Sequence, residues 1–257
     1  KTHAKLSLVV RDEPQGIRRY CHMGTGNYNP KTARFYEDYG LLTSRDEVGE
    51  DIAKLFNRLS AYAEDLSFNE VLVSPVGVRT GLTALIEAEA KNAKAGKAAG
   101  IQIKLNSLVD EQIIDSLYRA SKAGVKVEIL VRGMCSLKPG VPGLSDNITA
   151  ISIVDRYLEH TRFFIFGNNG NPEYFISSAD WMERNLDQRV EVGTIVKDPK
   201  IQKEIELIFE YQWKGSVKAR SISADYKNAY SKRNLPPFHA QQELYGYYKT
   251  LSEKITE

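Results

Sequence analysis

The feature that most constrains this chain is a site element that occurs twice. In HAKLSLVV, His3 and Lys5 stand two residues apart on an alternating strand whose other face is Ala4, Leu6, Leu8 and Val10. The turn DEPQG and a second strand, IRRYCHMG, follow, and the element closes on Gly24, Thr25, Gly26 and Asn27. The order recurs in Tyr157–Asn185, YLEHTRFFIFGNNGNPEYFISSADWMERN. There His160, Arg162, Phe164 and Phe166 point one way and Thr161, Phe163 and Ile165 the other. GNNGNP supplies turn chemistry, because Gly and Asn accept positive φ and Pro fixes its own. EYFISSA then returns as a strand and closes on Ser177, Ser178 and Asp180. Each copy puts a cation beside a histidine, with hydroxyl or carboxylate groups at the next strand end, which is a place to hold a phosphate. The copies lie too far apart for a short solenoid repeat. They predict a pseudo-symmetric pair of domains meeting at one site.

A chain of 257 residues allows one large or two ordinary domains with ample core. Its 42% hydrophobic and 26% charged residues are ordinary for a globular protein. A net charge of +2 gives no reason to expect nucleic acid as a partner. Cys21 and Cys135 lack metal spacing and fit a reducing cytosol, without excluding a disulfide. No apolar run approaches the roughly 20 residues of a membrane helix, and no signal peptide is visible. A cytoplasmic location is expected, with peripheral membrane association left open. The chain starts inside a strand-like motif, which suggests that upstream groups belong to it.

Between the two elements the pattern is of alternating strands and helices. Asn29 and Pro30 suit the cap and first turn of a short helix aimed at Gly24–Asn27, with Lys31 and Arg34 adding charge. YGLLT reads as a strand, and residues 45–66 as an amphipathic helix through Ile52, Leu55, Phe56, Leu59 and Tyr62. A domain boundary is expected near Leu66–Asn69, giving domains 1–69 and 70–257. EVLVSP, a helix over 77–99, IQIKLNSL, a helix from Asp110 to Lys122 and VKVEILVRG then predict a parallel core. Ligands of such cores sit beyond strand C-termini, which is where Arg132 falls. ITAISIVD leads toward His160, RVEVGTIV (189–196) is a further strand and 199–213 a helix. The tail, 216–257, is polar and rich in Tyr, with a helix expected after Pro237. A strand histidine without partners is usually structural, and His22 and His239 are read that way.

KTHAKL, RYCHMGTGNYNPKTARFYEDYGLLT, LVRGMCSLKPG, DNITAISIVDRYLEH and SSADWMERNLDQRVEV together resemble bacterial polyphosphate kinase. The likeness runs from His3 to about Arg220 and corresponds to the two C-terminal domains of that family, which are similar to the phospholipase D fold. It implies an α/β protein of two phospholipase D-like domains, each a mixed, mostly parallel sheet flanked by helices, with the active site at their interface. It implies reversible transfer of the ATP γ-phosphate to inorganic polyphosphate through a phosphohistidine. His3 matches the phosphorylated histidine, His160 the second essential histidine, and Tyr36, Arg132 and His160 the nucleotide-binding positions. Lys5, Asn27, Arg162, Asp180 and Arg189 are the candidates to bind or orient phosphate. Mg²⁺ is expected to arrive with ATP, since the family's magnesium-linked arginines lie upstream and have no counterpart here. Homo-oligomers are typical of the family. Arg162 stands where phospholipases have Lys, which favours a kinase over a phosphodiesterase or nuclease. A chain that only binds polyphosphate or ATP is the remaining alternative.

Overall fold

The computed structural model describes residues 1–60, 67–231 and 236–256. A hairpin of β1 (Lys5–Glu13) and β2 (Gly16–Gly24) leads to β3 (Tyr36–Glu37), β4 (Gly40–Thr43) and α1 (Asp46–Ser60). Then come β5 (Val71–Val73), α2 (Val78–Lys94), β6 (Gly100–Leu105), α3 (Glu111–Lys122), β7 (Lys126–Val131) and β8 (Ile148–Ile153). β9 (Leu158–Glu159), β10 (Phe163–Phe166), β11 (Glu173–Ser177), β12 (Val192–Val196), α4 (Pro199–Lys214), β13 (Ala219–Ile222) and α5 (Ala240–Thr256) complete the chain. Leu66, at the expected boundary, and Tyr62, in the expected helix, lie outside the described residues.

An eight-stranded mixed sheet, in the order β13-β8-β7-β6-β10-β11-β12-β5, carries the chain. The pairs β6–β7 and β7–β8 are parallel and the other neighbours antiparallel. Following these senses across the sheet, β5, β6, β7, β8 and β11 run one way and β10, β12 and β13 the other. The strand–helix–strand pattern therefore holds, but its parallel neighbours are confined to the centre. Between β5 and β6 the crossover spans three antiparallel strands supplied later in the sequence. The N-terminal sheet, β1-β2-β4, is antiparallel throughout.

Both faces of the large sheet are covered. Phe164 and Phe166 pack with Val78, Leu82 and Ile86 of α2 and Ile113 and Leu117 of α3. Phe163 and Ile165 pack on the other face with Ile205 and Phe209 of α4. That is why β10 is apolar at every position: a central strand with both faces buried has no polar side to present. Fully burying each such side chain stabilises by about 1.5–3 kcal/mol. The third cluster joins Cys21 and Met23 of the hairpin, Val48, Ile52 and Leu55 of α1, and Val71, Val73 and Val192 of the large sheet. Helix starts follow local chemistry. The Asp110 carboxylate accepts from the Ile113 amide at 3.1 Å, and Asp198 accepts from Lys200 and Ile201 with Pro199 in the first turn.

Three expectations are corrected. The strand over 157–166 is broken at residues 160–162, because β9 pairs with β3 while β10 pairs with β6 and β11. The chain changes partner at His160, whose amide donates to the Glu37 carbonyl at 3.1 Å. Val10 does not face a core: it is 54% exposed. The helix expected after Pro30 is a three-residue 3-10 turn, Thr32–Arg34, although Asn29 caps it through the Lys31 and Thr32 amides. β13, which extends the sheet at β8, had no recognisable signal in the polar tail.

Candidate active site

Strand direction explains where the polar residues gather. Asn106 follows β6, Arg132 follows β7 and Ser178 and Asp180 follow β11, at the C-terminal ends of strands running one way. Glu191 precedes β12, and His160 and Arg162 precede β10, at the N-terminal ends of strands running the other way. All seven therefore lie along one edge of the sheet. The N-terminal segment is laid on that edge by a parallel bridge of Thr2 to Val190, and the His3 and Ala4 amides both donate to the Val190 carbonyl at 2.9 Å.

The two histidines are held alike, each by a carboxylate distant in sequence, just beyond the other copy of the element. His3 Nδ1 lies 2.9 Å from Oε2 and 2.8 Å from Oε1 of Glu191. His160 Nδ1 lies 2.8 Å from Asp38 Oδ1. An ionised carboxylate only accepts, so Nδ1 carries the hydrogen in both rings and Nε2 keeps the lone pair. Each Nε2 then faces the cation two residues along. Lys5 Nζ is 3.0 Å from His3 Nε2, and Arg162 Nη2 is 3.3 Å from His160 Nε2. The His3 side chain is 20% exposed and that of His160 10%.

The carboxylates are themselves supported. Glu191 is fully buried and accepts from Ser178 Oγ at 2.5 Å and Asn185 Nδ2 at 2.7 Å. Asp38 accepts from Thr25 Oγ1 at 2.7 Å. Asp180 accepts from Arg162 Nε and Nη2 at 3.3 and 3.2 Å, and from the Asn106 and Ser107 amides at 2.8 and 3.1 Å. Burial alone would raise the Asp180 pKa, but the charge of Arg162 and these donors hold it below the usual carboxylate range. Arg162 also donates to the Thr25 carbonyl at 3.3 Å, tying the two halves together.

Burial sets the remaining charges. It pushes the Lys5 ammonium down to about 8, with Arg162 acting the same way and Glu191, Asp38 and Asp180 opposing. It also lowers His160 from the ordinary imidazole value, against the pull of Asp38, so the ring is neutral near pH 7. Arg132 donates through Nε to Asn106 Oδ1 and to the Glu159 carbonyl, leaving its two terminal nitrogens without a protein partner among the described residues. The Tyr36 ring lies 5.0 Å from that of His160, centre to centre.

A family model described as Polyphosphate kinase C-terminal domain 2 matches residues 71–242, and one described as Polyphosphate kinase C-terminal domain 1 matches residues 1–65. The chain belongs to the polyphosphate kinase family. A polyphosphate kinase of Thermosynechococcus vestitus is 49% identical over 242 residues, covering 94% of this chain and 33% of that protein. One of Vibrio cholerae is 45% identical over 255 residues, covering 99% of this chain and 36% of that protein. The crystal structure of polyphosphate kinase from Porphyromonas gingivalis superposes with a TM-score of 0.93 at 40% identity, covering 99% of this chain and 40% of that one. The chain thus spans about a third of the length of these curated relatives.

Of the candidate residues, His3, Lys5, His160, Arg162, Asp180, Tyr36 and Arg132 lie in or beside the site. Asn27 makes no side-chain hydrogen bond to the site among the described residues. It is exposed, and its carbonyl accepts from the Asn29 amide, while Thr25 supplies the hydroxyl at Asp38. The Arg189 backbone carbonyl accepts from Ser74, and its side chain makes no ion pair among the described residues. Asp180 and Ser178 serve Arg162 and Glu191. Glu191, Asp38, Thr25 and Asn106 were not singled out from the sequence. Their signal, an acidic or hydroxyl residue at the right distance, becomes visible only once the sheet order is known.

Proposed function

We propose that the site transfers the γ-phosphate of ATP reversibly to the end of inorganic polyphosphate, through a phosphohistidine at His3. The observation that carries this is the Glu191–His3–Lys5 arrangement. Glu191 holds Nδ1–H, so the Nε2 lone pair is directed outward beside a cation. In the first step Nε2 attacks the γ-phosphorus. The bond from that phosphorus to the bridging oxygen breaks, and its electron pair leaves with ADP. Glu191 stabilises the positive charge that appears on the ring. In the second step a terminal oxygen of polyphosphate attacks the same phosphorus, the N–P bond breaks, and its electron pair returns to Nε2.

Such transfers depend mainly on positioning and charge neutralisation. Lys5 turns from Nε2 to the phosphoryl oxygens as the ring is phosphorylated. Neutral His160, held by Asp38, hydrogen-bonds the transferring phosphate or exchanges a proton with the leaving oxygen. Arg132 offers its terminal nitrogens to phosphate oxygens, and Tyr36 offers a ring face to adenine. Arg162 is fixed by Asp180 and contributes field more than a free donor.

No group of three or more His, Cys, Asp or Glu among the described residues is placed to hold a metal. Glu191, Asp38 and Asp180 are committed to histidine or arginine. These residues do not fit a magnesium cage, and Mg²⁺ is proposed to arrive with ATP on its phosphates. No helix among the described residues is long and apolar enough to cross a membrane. A cytoplasmic homo-oligomer is the setting we propose for the intact protein.

The test is turnover by the intact protein, with the 257-residue chain assayed beside it. ATP-dependent growth of polyphosphate with release of ADP is expected from the intact protein. Cleavage of a phosphodiester without nucleotide, and no growth of polyphosphate, would overturn the reading in favour of a phosphodiesterase. Binding of polyphosphate and ATP by both, with turnover by neither, would reduce it to a binding role.

A further inference from the structure

A cavity of about 610 Å³ opens beside Arg132, on the flank of the sheet away from His3. Its wall is made by β8, β13 and the segment after β13. It is lined by the cations Arg132, Lys218 and Arg220, and by the hydroxyls of Ser152, Ser221 and Ser223. No Asp or Glu among the described residues lines it. Lys218 is exposed and makes no ion pair among the described residues, and the Arg132 terminal nitrogens are likewise without a protein partner there. Arg220 is held in place, donating to the Asn228 carbonyl at 3.0 Å with its guanidinium carbon 3.8 Å from the Tyr230 ring centre.

Three cations that share a concave wall without a carboxylate attract a polyanion, and the hydroxyls supply neutral hydrogen bonds to its oxygens. One face of Tyr230 is covered by Arg220, and Lys138 stands 5.9 Å from the centre of the Tyr226 ring. Arg132 belongs to both places: it lines the cavity, and its charge is felt together with those of Arg162 and Asp180 in the site.

We propose that this cavity is a subsite for the inorganic polyphosphate chain, with Lys218 and Arg220 holding phosphate units away from the reacting end and Arg132 joining the subsite to the histidines. The class of anion rests on the phosphoryl-transfer reading above. The binding of a polyanion rests only on the cavity.

The experiment measures binding of sodium polyphosphate of defined length, and of ATP, to the intact protein, alongside labelling of His3 from γ-labelled ATP. Wild type is compared with Lys218→Gln, Arg220→Gln and the charge-conserving Lys218→Arg. Each neutralised cation is expected to weaken polyphosphate about tenfold and to flatten its salt dependence, as loss of a phosphate contact does. ATP affinity and His3 labelling are expected to stay within about twofold, and Lys218→Arg to bind as wild type. Lys218 is exposed, so its variants test the idea even if Arg220→Gln disturbs β13. Unchanged polyphosphate affinity in Lys218→Gln and Arg220→Gln would overturn the proposal. So would equal weakening of ATP and polyphosphate, which would make the cavity a nucleotide site. If wild type shows no label on His3 but the variants still lose polyphosphate, the transfer reading fails and the subsite stands.

Discussion

Lys5→Met should make the folded chain more stable at neutral pH while removing the phosphate transfer proposed for the intact protein. Lys5 is 5% exposed, and its ammonium is charged at pH 7 at the cost of being withdrawn from water. The shift from 10.5 to about 8 gives the magnitude. At roughly 1.4 kcal/mol per unit, about 3 kcal/mol of folding stability is forfeited below pH 8. The sign follows from proton binding. Between about 8 and 10.5 the unfolded chain binds the proton and the folded chain does not, so wild-type stability rises across that window. Met fills similar volume without the charge, so the variant lacks that rise. Urea unfolding of both chains at pH 7 and near pH 10.5 is the assay. The variant should be more stable by roughly 2–3 kcal/mol at pH 7, less whatever the lost bond to His3 contributed, and the difference should shrink toward zero at high pH. A variant less stable than wild type at pH 7, or a gap that does not change with pH, would refute the assignment of a buried, desolvated cation at this position.

In the proposed transfer the same group should set the alkaline limb of activity. The rate of His3 labelling should fall as pH rises through about 8, and Lys5→Arg should move that limb upward if it labels at all. Glu191→Gln keeps the volume but removes the anion behind His3, so labelling should slow by roughly 100-fold or more with little change in far-UV circular dichroism. Asp38→Asn should slow ATP turnover by roughly tenfold or more through His160, while a polyphosphate-binding assay stays near wild type. Phe164→Ala, at a side chain 1% exposed whose ring lies 5.0 Å from that of Trp181, should cost about 3–5 kcal/mol of stability by chemical denaturation.

Local chemistry was legible wherever it is carried by residues close together in sequence. The pairs His3/Lys5 and His160/Arg162, the caps Asn29 and Asp110, and Arg132 at a strand end all follow from short spacings, and the structure places them accordingly. Residues that act across the chain were not legible. Glu191 lies 188 residues from His3, and Asp38 lies 122 residues from His160, so no spacing rule connects them. The sequence points to Asn27 in the Gly24–Asn27 turn, whereas it is Thr25 whose hydroxyl reaches Asp38. His160 and Arg162 looked like residues on a strand face because the alternation runs on through Phe166. The break between them and β10 comes from a change of pairing partner, from β3 to β6 and β11, which leaves no local mark.

The central claim is that His3 carries the phosphoryl group. Its most direct test incubates the intact protein with γ-labelled ATP and Mg²⁺, as wild type, His3→Ala and His160→Ala, and asks for covalent label that acid removes and base does not. The account predicts such label in wild type and none in His3→Ala. It predicts slower labelling in His160→Ala. Label that survives His3→Ala, or a wild type that turns over ATP without ever carrying acid-labile label, would contradict it.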